Sequence, residues 1–224
     1  MTGDAPRVVS PELVCPELVC PDLVWQGSLF AEPAAGGELS FEGPRHEPLD
    51  DRSWVDLVPG WVGDHEALFE RLRQEAPWRR RSRTRWDKDV LEPRLVAAWA
   101  VGESVPAYLQ GLREVLSERY GVGFDSCLVN LYRDGDDAVA WHGDTVRKVL
   151  RDPLVATVSL GQRRRFLMRP VGGGPVARAY APGEGDLLVM GGACQHEWVH
   201  TVPREKRASG ARMSVTLRNS RPAA

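Results

Sequence analysis

The sequence lacks any long apolar run. No stretch of its 224 residues approaches the roughly 20 consecutive apolar residues that a membrane-spanning helix needs. It also lacks the basic start and apolar core of a secretory signal peptide. With 42% hydrophobic residues and eight tryptophans, the composition is that of a folded globular chain. We therefore expect a monomeric cytoplasmic protein without a membrane partner.

Cysteine is scarce and has no metal-binding pattern. The four cysteines are Cys15, Cys20, Cys127 and Cys194. Cys15 and Cys20 do not have the Cys-x2-Cys spacing with which many zinc sites begin. The sequence therefore predicts reduced thiols and gives no support to a structural zinc site.

Net charge is also small, at −2, but its distribution is uneven. Residues 1–50 contain two arginines and nine acidic residues, a local charge of −7. The other residues contain 27 basic and 22 acidic side chains, which gives +5. A mildly basic body is compatible with a polyanionic partner such as nucleic acid, but it does not by itself indicate one.

The N-terminal region has the composition of a linker. Residues 11–25 repeat a five-residue unit, Pro-Glu-Leu-Val-Cys twice and then Pro-Asp-Leu-Val-Trp. Proline at every fifth position excludes both a continuous helix and a central strand. We predict an extended acidic tail over residues 1–48, lying on the domain surface or binding a partner, and a folded domain over residues 49–220.

Periodicity predicts two helices followed by seven strands. The helices cover Asp64–Glu75, with Asp64 as the N-cap, and Pro106–Tyr120, with Gly121 as the C-cap. Short β-prone runs separated by glycine and proline then predict strands at Cys127–Tyr132, Val139–Trp141, Leu154–Leu160, Arg165–Met168, Leu187–Met190, Val199–Val202 and Met213–Arg218. This order predicts an α+β, mainly β fold, a jelly roll with helices packed outside it.

The most basic segment runs from Trp78 to Trp86. It reads Trp-Arg-Arg-Arg-Ser-Arg-Thr-Arg-Trp, with arginines such as Arg81 and Arg83 between two aromatic ends. This pattern suits a phosphate-binding loop with an indole free to stack on a nucleic-acid base. It also suits an exposed edge strand whose charges prevent aggregation.

The strongest chemical motif is His142-Gly143-Asp144. On a strand, side chains two residues apart point to the same face, so this imidazole and carboxylate could share one ligand. His200 is the best candidate for a third metal ligand, because valines around it indicate a strand. His196 is the competitor, since two histidines four residues apart on a helix form a metal-binding face. Two imidazoles and one carboxylate with open positions suit non-haem Fe(II) better than structural zinc.

Two further pairs have even spacing on predicted strands. Arg212 and Arg218 would share one strand face, where two guanidiniums could hold a dicarboxylate by forked hydrogen bonds. Surface charges are the alternative explanation for both arginines. Asn130 and Tyr132, two residues apart, would also share a face.

The order Asn-x-Tyr, His-x-Asp, distant His and Arg-x5-Arg, within residues 78–219, resembles the AlkB family of 2-oxoglutarate- and Fe(II)-dependent nucleic-acid dealkylases. The resemblance implies a double-stranded β-helix, the jelly roll predicted above, with flanking N-terminal helices. It implies O2 as the oxidant and Fe(II) held by His142, Asp144 and His200. It also implies 2-oxoglutarate contacts from Asn130, Tyr132, Arg212, Ser214 and Arg218.

The resemblance also implies particular roles and a reaction. Arg212 would bind the distal carboxylate of 2-oxoglutarate, and Arg218 would support the carboxylate beside the keto group. An N-alkyl carbon on a base would be hydroxylated and lost as formaldehyde, with DNA expected before RNA. A flipped base would stack between the His142 ring and either Trp78 or Trp86.

Two positions leave the substrate open. Several family members have an acidic residue two positions after the metal-binding aspartate, where this chain has Val146. Arg164 lies among further arginines, a pattern that suits either phosphate contact or an exposed strand. An oxygenase acting on RNA or on protein, and a jelly-roll module that binds metal and nucleic acid without turnover, are the alternatives.

Overall fold

The computed structural model describes residues 38–85, 88–144 and 150–220, apart from the side chains of residues 83–91. The helices found there are α1 (His65–Glu75), α2 (Ala107–Tyr120) and the single turn α3 (Cys194–Glu197). None of the helices in these ranges is long and apolar enough to cross a membrane. The strands are β1 (Arg45–Pro48), β2 (Ser53–Val58), β3 (Arg79–Arg85), β4 (Lys88–Trp99), β5 (Ser126–Tyr132), β6 (Val139–His142), β7 (Val155–Gly161), β8 (Phe166–Pro170), β9 (Arg178–Tyr180), β10 (Leu187–Gly192), β11 (Trp198–Val202) and β12 (Arg212–Arg218).

Both predicted helices and all seven predicted strands are confirmed, with boundaries that differ by at most two residues. Gly121 ends α2 with φ at 66°, a left-handed conformation that glycine adopts without steric cost. Asp64 precedes α1 but makes no side-chain capping hydrogen bond. Strands β1, β2, β4 and β9 and helix α3 were not predicted; β1, β9 and α3 have at most four residues each.

The strands form two antiparallel sheets. The eight-stranded sheet has the order β1-β2-β10-β7-β12-β5-β4-β3, and the four-stranded sheet has the order β6-β11-β8-β9. Neighbours such as β2 and β10, or β5 and β12, are far apart in the chain. Two sheets with these non-local antiparallel pairings form a double-stranded β-helix, so the predicted jelly roll is confirmed.

Alternation along each strand divides the eight-stranded sheet into two faces. Alternate residues of β5, β7 and β12, including Val129, Val158 and Val215, are buried against Leu72 of α1 and Leu112 of α2. The helices therefore cover the outer face of this sheet. The intervening residues of the same three strands point to the inner face, toward the four-stranded sheet.

A second apolar cluster lies between the two sheets. Leu57 and Leu188 of the larger sheet pack there with Phe166, Met168 and Trp198 of the smaller one. The cluster fills one part of the inner space. Polar residues occupy the inner face beside it, and they form the candidate site.

The predicted boundary between tail and domain was wrong. Strand β1 pairs with β2 from Arg45 to Pro48 and forms an edge of the larger sheet. Leu39 makes an isolated bridge to Val62 and packs, like Phe41, against the core beneath the helices. The domain therefore includes residues from about 38 onward. The repeat at residues 11–25 lies outside the described residues, so its extended conformation stays a prediction.

Candidate active site

Strand β12 brings alternate polar residues to the inner face. Met213, Val215 and Leu217 enter the core under the helices, which leaves the intervening residues directed between the sheets. Those intervening residues, together with polar residues of β4, β5 and β7, line one cleft: Arg94, Asn130, Tyr132, Thr157, Arg212, Ser214, Thr216 and Arg218. The cleft encloses about 450 Å³ of space free of atoms, a volume that includes its open mouth.

Two histidines enter the cleft from the smaller sheet. His200 of β11 is the register partner of His142 at the end of β6, and their ring centroids lie 4.3 Å apart. Phe166 of β8 stacks on His200 with a centroid distance of 5.1 Å. The pairing of β6 with β11 thus brings together two imidazoles that are 58 residues apart in the chain.

Asp144 reaches the cleft from outside the sheet. The sequence suggested that His142 and Asp144 share one strand face, but β6 ends at His142, so this interpretation was wrong. Asp144 lies two residues beyond the strand and is buried. Its Oδ1 accepts a hydrogen bond from Arg218 Nε at 2.8 Å and forms an ion pair with Nη2 at 2.5 Å, and its Oδ2 lies 3.6 Å from His200 Nε2.

Burial and neighbouring charges set the ionisation of the three groups. Burial lowers the pKa of His200 to about 3, and the nearby His142 contributes to that shift. Burial also lowers the pKa of His142. For Asp144, burial alone would raise the pKa, but Arg218 and the two histidines lower it overall. At neutral pH the site therefore presents two neutral imidazoles and one carboxylate.

This donor set is chemically suited to a divalent metal. A histidine that binds a metal must be neutral and a carboxylate must be ionised, and all three side chains meet that requirement. Among the described residues, no three histidine, cysteine, aspartate or glutamate side chains stand at the mutual distances of a formed metal site. Arg218 occupies Asp144 Oδ1 instead. The three residues therefore fit a divalent metal ion, because their side chains are of the required types and face one cleft.

Arg212 is a buried cation without an acidic partner among the described residues. It is 1% exposed, and its Nη2 donates to the hydroxyl of Ser159 at 2.7 Å. Its Nε and Nη1 have no hydrogen-bond partner there, and the Tyr132 ring lies 5.3 Å from the guanidinium carbon. Complete burial lowers the pKa of Arg212. A buried charge is costly unless it is paired, so this position suits a bound carboxylate.

Asn130, Ser214 and Arg94 form a hydrogen-bonded group in the same cleft. Asn130 donates to the Ser214 hydroxyl at 3.3 Å and accepts from Arg94 Nε at 2.9 Å. Arg94 also pairs with Glu92 at 3.1 Å. Sequence reasoning did not find Arg94, although it follows the basic segment. Arg94 reaches the cleft because β4 pairs with β5, which places Val96 opposite Asn130 and Arg94 two residues before Val96.

His196 lies outside the cleft. It is exposed on α3, and its Nε2 lies 3.0 Å from the backbone oxygen of Leu150. His196 and His200 are not on one helix, because α3 ends at Glu197 and His200 belongs to β11. The geometry therefore brings His200, and not His196, together with His142 and Asp144.

The stacking role predicted for Trp78 was wrong. Trp78 is 4% exposed, packs in the core beneath the helices, and donates its indole N–H to the backbone oxygen of Arg73 at 3.1 Å. A ring enclosed in this way has no free face for a base. Trp86, the other candidate, and Val146 lie outside the described residues.

Arg164 is not on an exposed strand, and protein groups enclose its guanidinium, so its position differs from both sequence interpretations. Its side chain is buried in the loop between β7 and β8. The guanidinium donates to the backbone oxygens of Asp134, Asp137 and Pro203 at 2.7, 3.0 and 2.8 Å. Arg164 therefore joins the loop after β5 to the loop after β11.

We expect Arg164→Met to destabilise the fold by on the order of 3–5 kcal/mol, because it removes the donor from three backbone oxygens in one buried and two part-buried hydrogen bonds. Denaturant unfolding measures this loss. The matched control is Arg165→Gln, which removes an exposed neighbour paired with Glu205 at 3.3 Å and should cost less than about 1 kcal/mol. A small loss of stability in Arg164→Met, combined with weaker binding of nucleic acid, would restore the contact role.

The basic segment forms edge strand β3. The side chains of Arg79, Arg80 and Arg81 are exposed on it. The backbone of Arg83 belongs to the same strand, but its side chain is outside the described residues. Strand β3 pairs with β4, which contributes Arg94 to the cleft, so the exposed arginines run along the sheet edge one strand away from the cleft wall.

Comparison with known proteins identifies the family. The model of the 2OG-Fe(II) oxygenase superfamily matches residues 57–218. Alpha-ketoglutarate-dependent dioxygenase alkB homolog 3 of Homo sapiens is 36% identical over 194 residues, covering 76% of this chain and 67% of that protein. This chain belongs to the AlkB family of 2OG-Fe(II) oxygenases. It is therefore an Fe(II)- and 2-oxoglutarate-dependent dioxygenase that uses O2.

Other proteins are similar to this AlkB family chain in sequence or in fold. DNA oxidative demethylase ALKBH2 of Arabidopsis thaliana is 28% identical over 190 residues, covering 67% of this chain and 60% of that protein. The structure of OsALKBH1 has a TM-score of 0.53 at 17% identity and covers 78% of this chain and all of that one. A 2OG-Fe(II) oxygenase family oxidoreductase from Burkholderia pseudomallei has a TM-score of 0.50 at 17% identity, and the match covers 76% of this chain and 87% of that one. The two solved structures support the shared fold.

Proposed function

We propose that this dioxygenase removes alkyl groups oxidatively from N-alkylated bases of nucleic acid, and that DNA is its principal substrate. The observation that carries the proposal is the buried guanidinium of Arg212, which faces the same cleft as His142, Asp144 and His200. One cleft thus combines a place for a dicarboxylate co-substrate with a donor set for Fe(II).

The side chains divide the work of holding the reactants. His142, Asp144 and His200 would hold Fe(II), which when bound supplies the activation of O2. Arg212 would bind the distal carboxylate of 2-oxoglutarate, while Tyr132 covers its guanidinium. Asn130 and Ser214 present polar groups on the wall between these two positions.

Arg218 has a different contact from the one predicted. In the structure its guanidinium binds the carboxylate of Asp144. This pair keeps Asp144 ionised and orients it, which a metal ligand requires. Support of the 2-oxoglutarate carboxylate beside the keto group stays a proposal for Arg218.

The proposed reaction consumes one O2 and one 2-oxoglutarate for each methyl group removed. One oxygen atom enters succinate as CO2 leaves, and the other is inserted into a C–H bond of the N-methyl group. The resulting N-hydroxymethyl group breaks its C–N bond, the nitrogen recovers a proton, and formaldehyde departs. No side-chain nucleophile takes part, since the protein binds and orients the reactants.

Two features support a nucleic-acid substrate. The exposed arginines of β3 form a row of positive charge beside the strand that carries Arg94 into the cleft. The relatives include alkB homolog 3 and a protein named DNA oxidative demethylase ALKBH2. A base flipped from the strand could enter the cleft beside His142 while its phosphates stay at the sheet edge.

The decisive experiment compares methylated DNA and RNA oligonucleotides of one sequence. The protein is incubated with Fe(II), 2-oxoglutarate and O2, and formaldehyde, succinate and base mass are measured. We expect formaldehyde and unmodified base in equal amounts, with higher kcat/KM on DNA. Higher kcat/KM on RNA would reassign the substrate. Succinate formation without any change in base mass on either polymer would reject nucleic-acid dealkylation.

The arginines of β3 provide a separate test of nucleic-acid binding. Replacing Arg79, Arg80 and Arg81 with glutamine should weaken binding of single-stranded DNA and reduce the salt slope of log K by up to about 2, since each lost phosphate contact removes about 0.7. Binding is measured by fluorescence anisotropy across a salt series. Turnover of a free methylated nucleoside should be unchanged.

A matched control removes three other arginines. Arg45, Arg163 and Arg178 line a groove that includes residues of edge strands β1 and β9, and their triple replacement changes the net charge equally. This control should retain most of the salt slope. Equal losses in the two triple variants would show that net charge, and not the position of β3, controls binding.

A further inference from the structure

Asp144 is held at its backbone by a residue that no motif indicated. Its amide N–H donates to Gln195 Oε1 at 3.0 Å. We propose that Gln195 is a positioning residue, which fixes the main chain at Asp144 so that the carboxylate stays directed into the cleft. The proposal rests on the assignment of Asp144 as a metal ligand under the proposed function.

The position of Asp144 explains why such support is needed. Strand β6 ends at His142, so no strand ladder holds the backbone of Asp144. The carboxylate is bound by Arg218, but that contact is made at the side chain and not at the backbone. Gln195 supplies the second point of attachment, and two separated contacts restrict the side chain more than either one does.

The geometry defines the orientation of the Gln195 amide. A backbone N–H can only donate, so the oxygen of the amide must face Asp144. The other end, Nε2, is 3.5 Å from the sulfur of Met190, a weak acceptor. Gln195 is fully buried, and both ends of its amide are occupied. It touches neither histidine of the site in these contacts, so its effect acts through Asp144.

The helix that carries Gln195 is firmly attached. The backbone N–H of Ala193 donates to the oxygen of Arg52 at 2.9 Å, and the Arg52 side chain pairs with Glu197 at 2.7 Å. Helix α3 also directly precedes β11, which carries His200. Helix α3 is therefore linked to two of the three proposed ligands, to His200 through the chain and to Asp144 through the Gln195 amide.

The test is binding of Mn(II) alone to the intact protein, followed by the EPR signal of free Mn(II). Gln195→Met has similar length but no acceptor for the Asp144 N–H, and it should weaken Mn(II) binding by about 10-fold or more. Met190→Leu is the matched control, because it removes the weak contact at the opposite end of the amide. It should leave Mn(II) affinity within about twofold.

A folded Gln195→Met variant that binds Mn(II) as tightly as the wild type would overturn the proposal. Should that variant fail to fold, hydrogen exchange of the Asp144 amide in the wild-type protein decides instead: protection is expected, and rapid exchange rejects the contact. Asp144→Asn distinguishes a wrong ligand assignment from a wrong role for Gln195. Unchanged Mn(II) binding in Asp144→Asn rejects the ligand assignment itself, whereas a loss there with no loss in Gln195→Met rejects only the role of Gln195.

Discussion

Arg212→Ala should raise the 2-oxoglutarate concentration needed for half-maximal turnover by about 30-fold or more. A buried guanidinium bound to a carboxylate contributes on the order of 2–5 kcal/mol, and each 1.4 kcal/mol is about tenfold in affinity. The structure offers Arg212 no carboxylate partner among the described residues, and its Nε and Nη1 are unbound there. The co-substrate is therefore the natural source of the missing negative charge.

The effect should be confined to the co-substrate. Mn(II) binding should persist in Arg212→Ala, because His142, Asp144 and His200 are unchanged. Ser159→Ala is the matched control: it removes the hydrogen bond at 2.7 Å but leaves the guanidinium in place, so its 2-oxoglutarate requirement should change by less than about fivefold. A 2-oxoglutarate dependence in Arg212→Ala equal to that of the wild type would falsify the anchor assignment.

His200→Ala should abolish turnover at every 2-oxoglutarate concentration, whereas His196→Ala should retain it. The physical reason is the different position of the two imidazole rings. The His200 ring lies in the cleft, 4.3 Å from the His142 ring and 3.6 Å from a carboxylate oxygen of Asp144. His196 is exposed and contacts the backbone oxygen of Leu150. Succinate formation measured over a wide range of 2-oxoglutarate and Fe(II) concentrations distinguishes lost metal binding from weakened co-substrate binding.

His196→Ala serves as the internal control. Loss of its exposed hydrogen bond should cost less than about 1 kcal/mol of stability and should leave Mn(II) affinity unchanged. Circular dichroism establishes that both variants are folded before their activities are compared. An inactive His196→Ala together with an active His200→Ala would transfer the third ligand to His196 and contradict the site geometry.

Strand β12 shows how much local sequence can predict. Arg212 and Arg218 were expected on one face because a strand has a period of two, and both line the cleft. The same rule correctly paired Asn130 with Tyr132 on β5. It failed for Asp144, because β6 ends before reaching that residue and the alternation of a strand no longer applies.

Burial was the property that local sequence predicted least well. Trp78 and Arg164 belong to segments rich in arginine, which made both look exposed, yet each is enclosed by elements distant in the chain. The carbonyls that bind Arg164 come from residues 134, 137 and 203. A sequence pattern does not show which distant loops will surround a side chain.

The sequence by itself determined the periodicities, the ligand types and the order of the motifs, and these were enough to predict the two longer helices, seven strands and the family resemblance. Only the tertiary structure decided that Arg94 lines the cleft, that Gln195 contacts the backbone of Asp144 and that the rings of His200 and His142 are neighbours. The physical reason is that side-chain direction within one element depends on local backbone geometry. Contact between elements depends on sheet register and on long-range pairing, which join residues such as Asp144 and Gln195 across 51 positions.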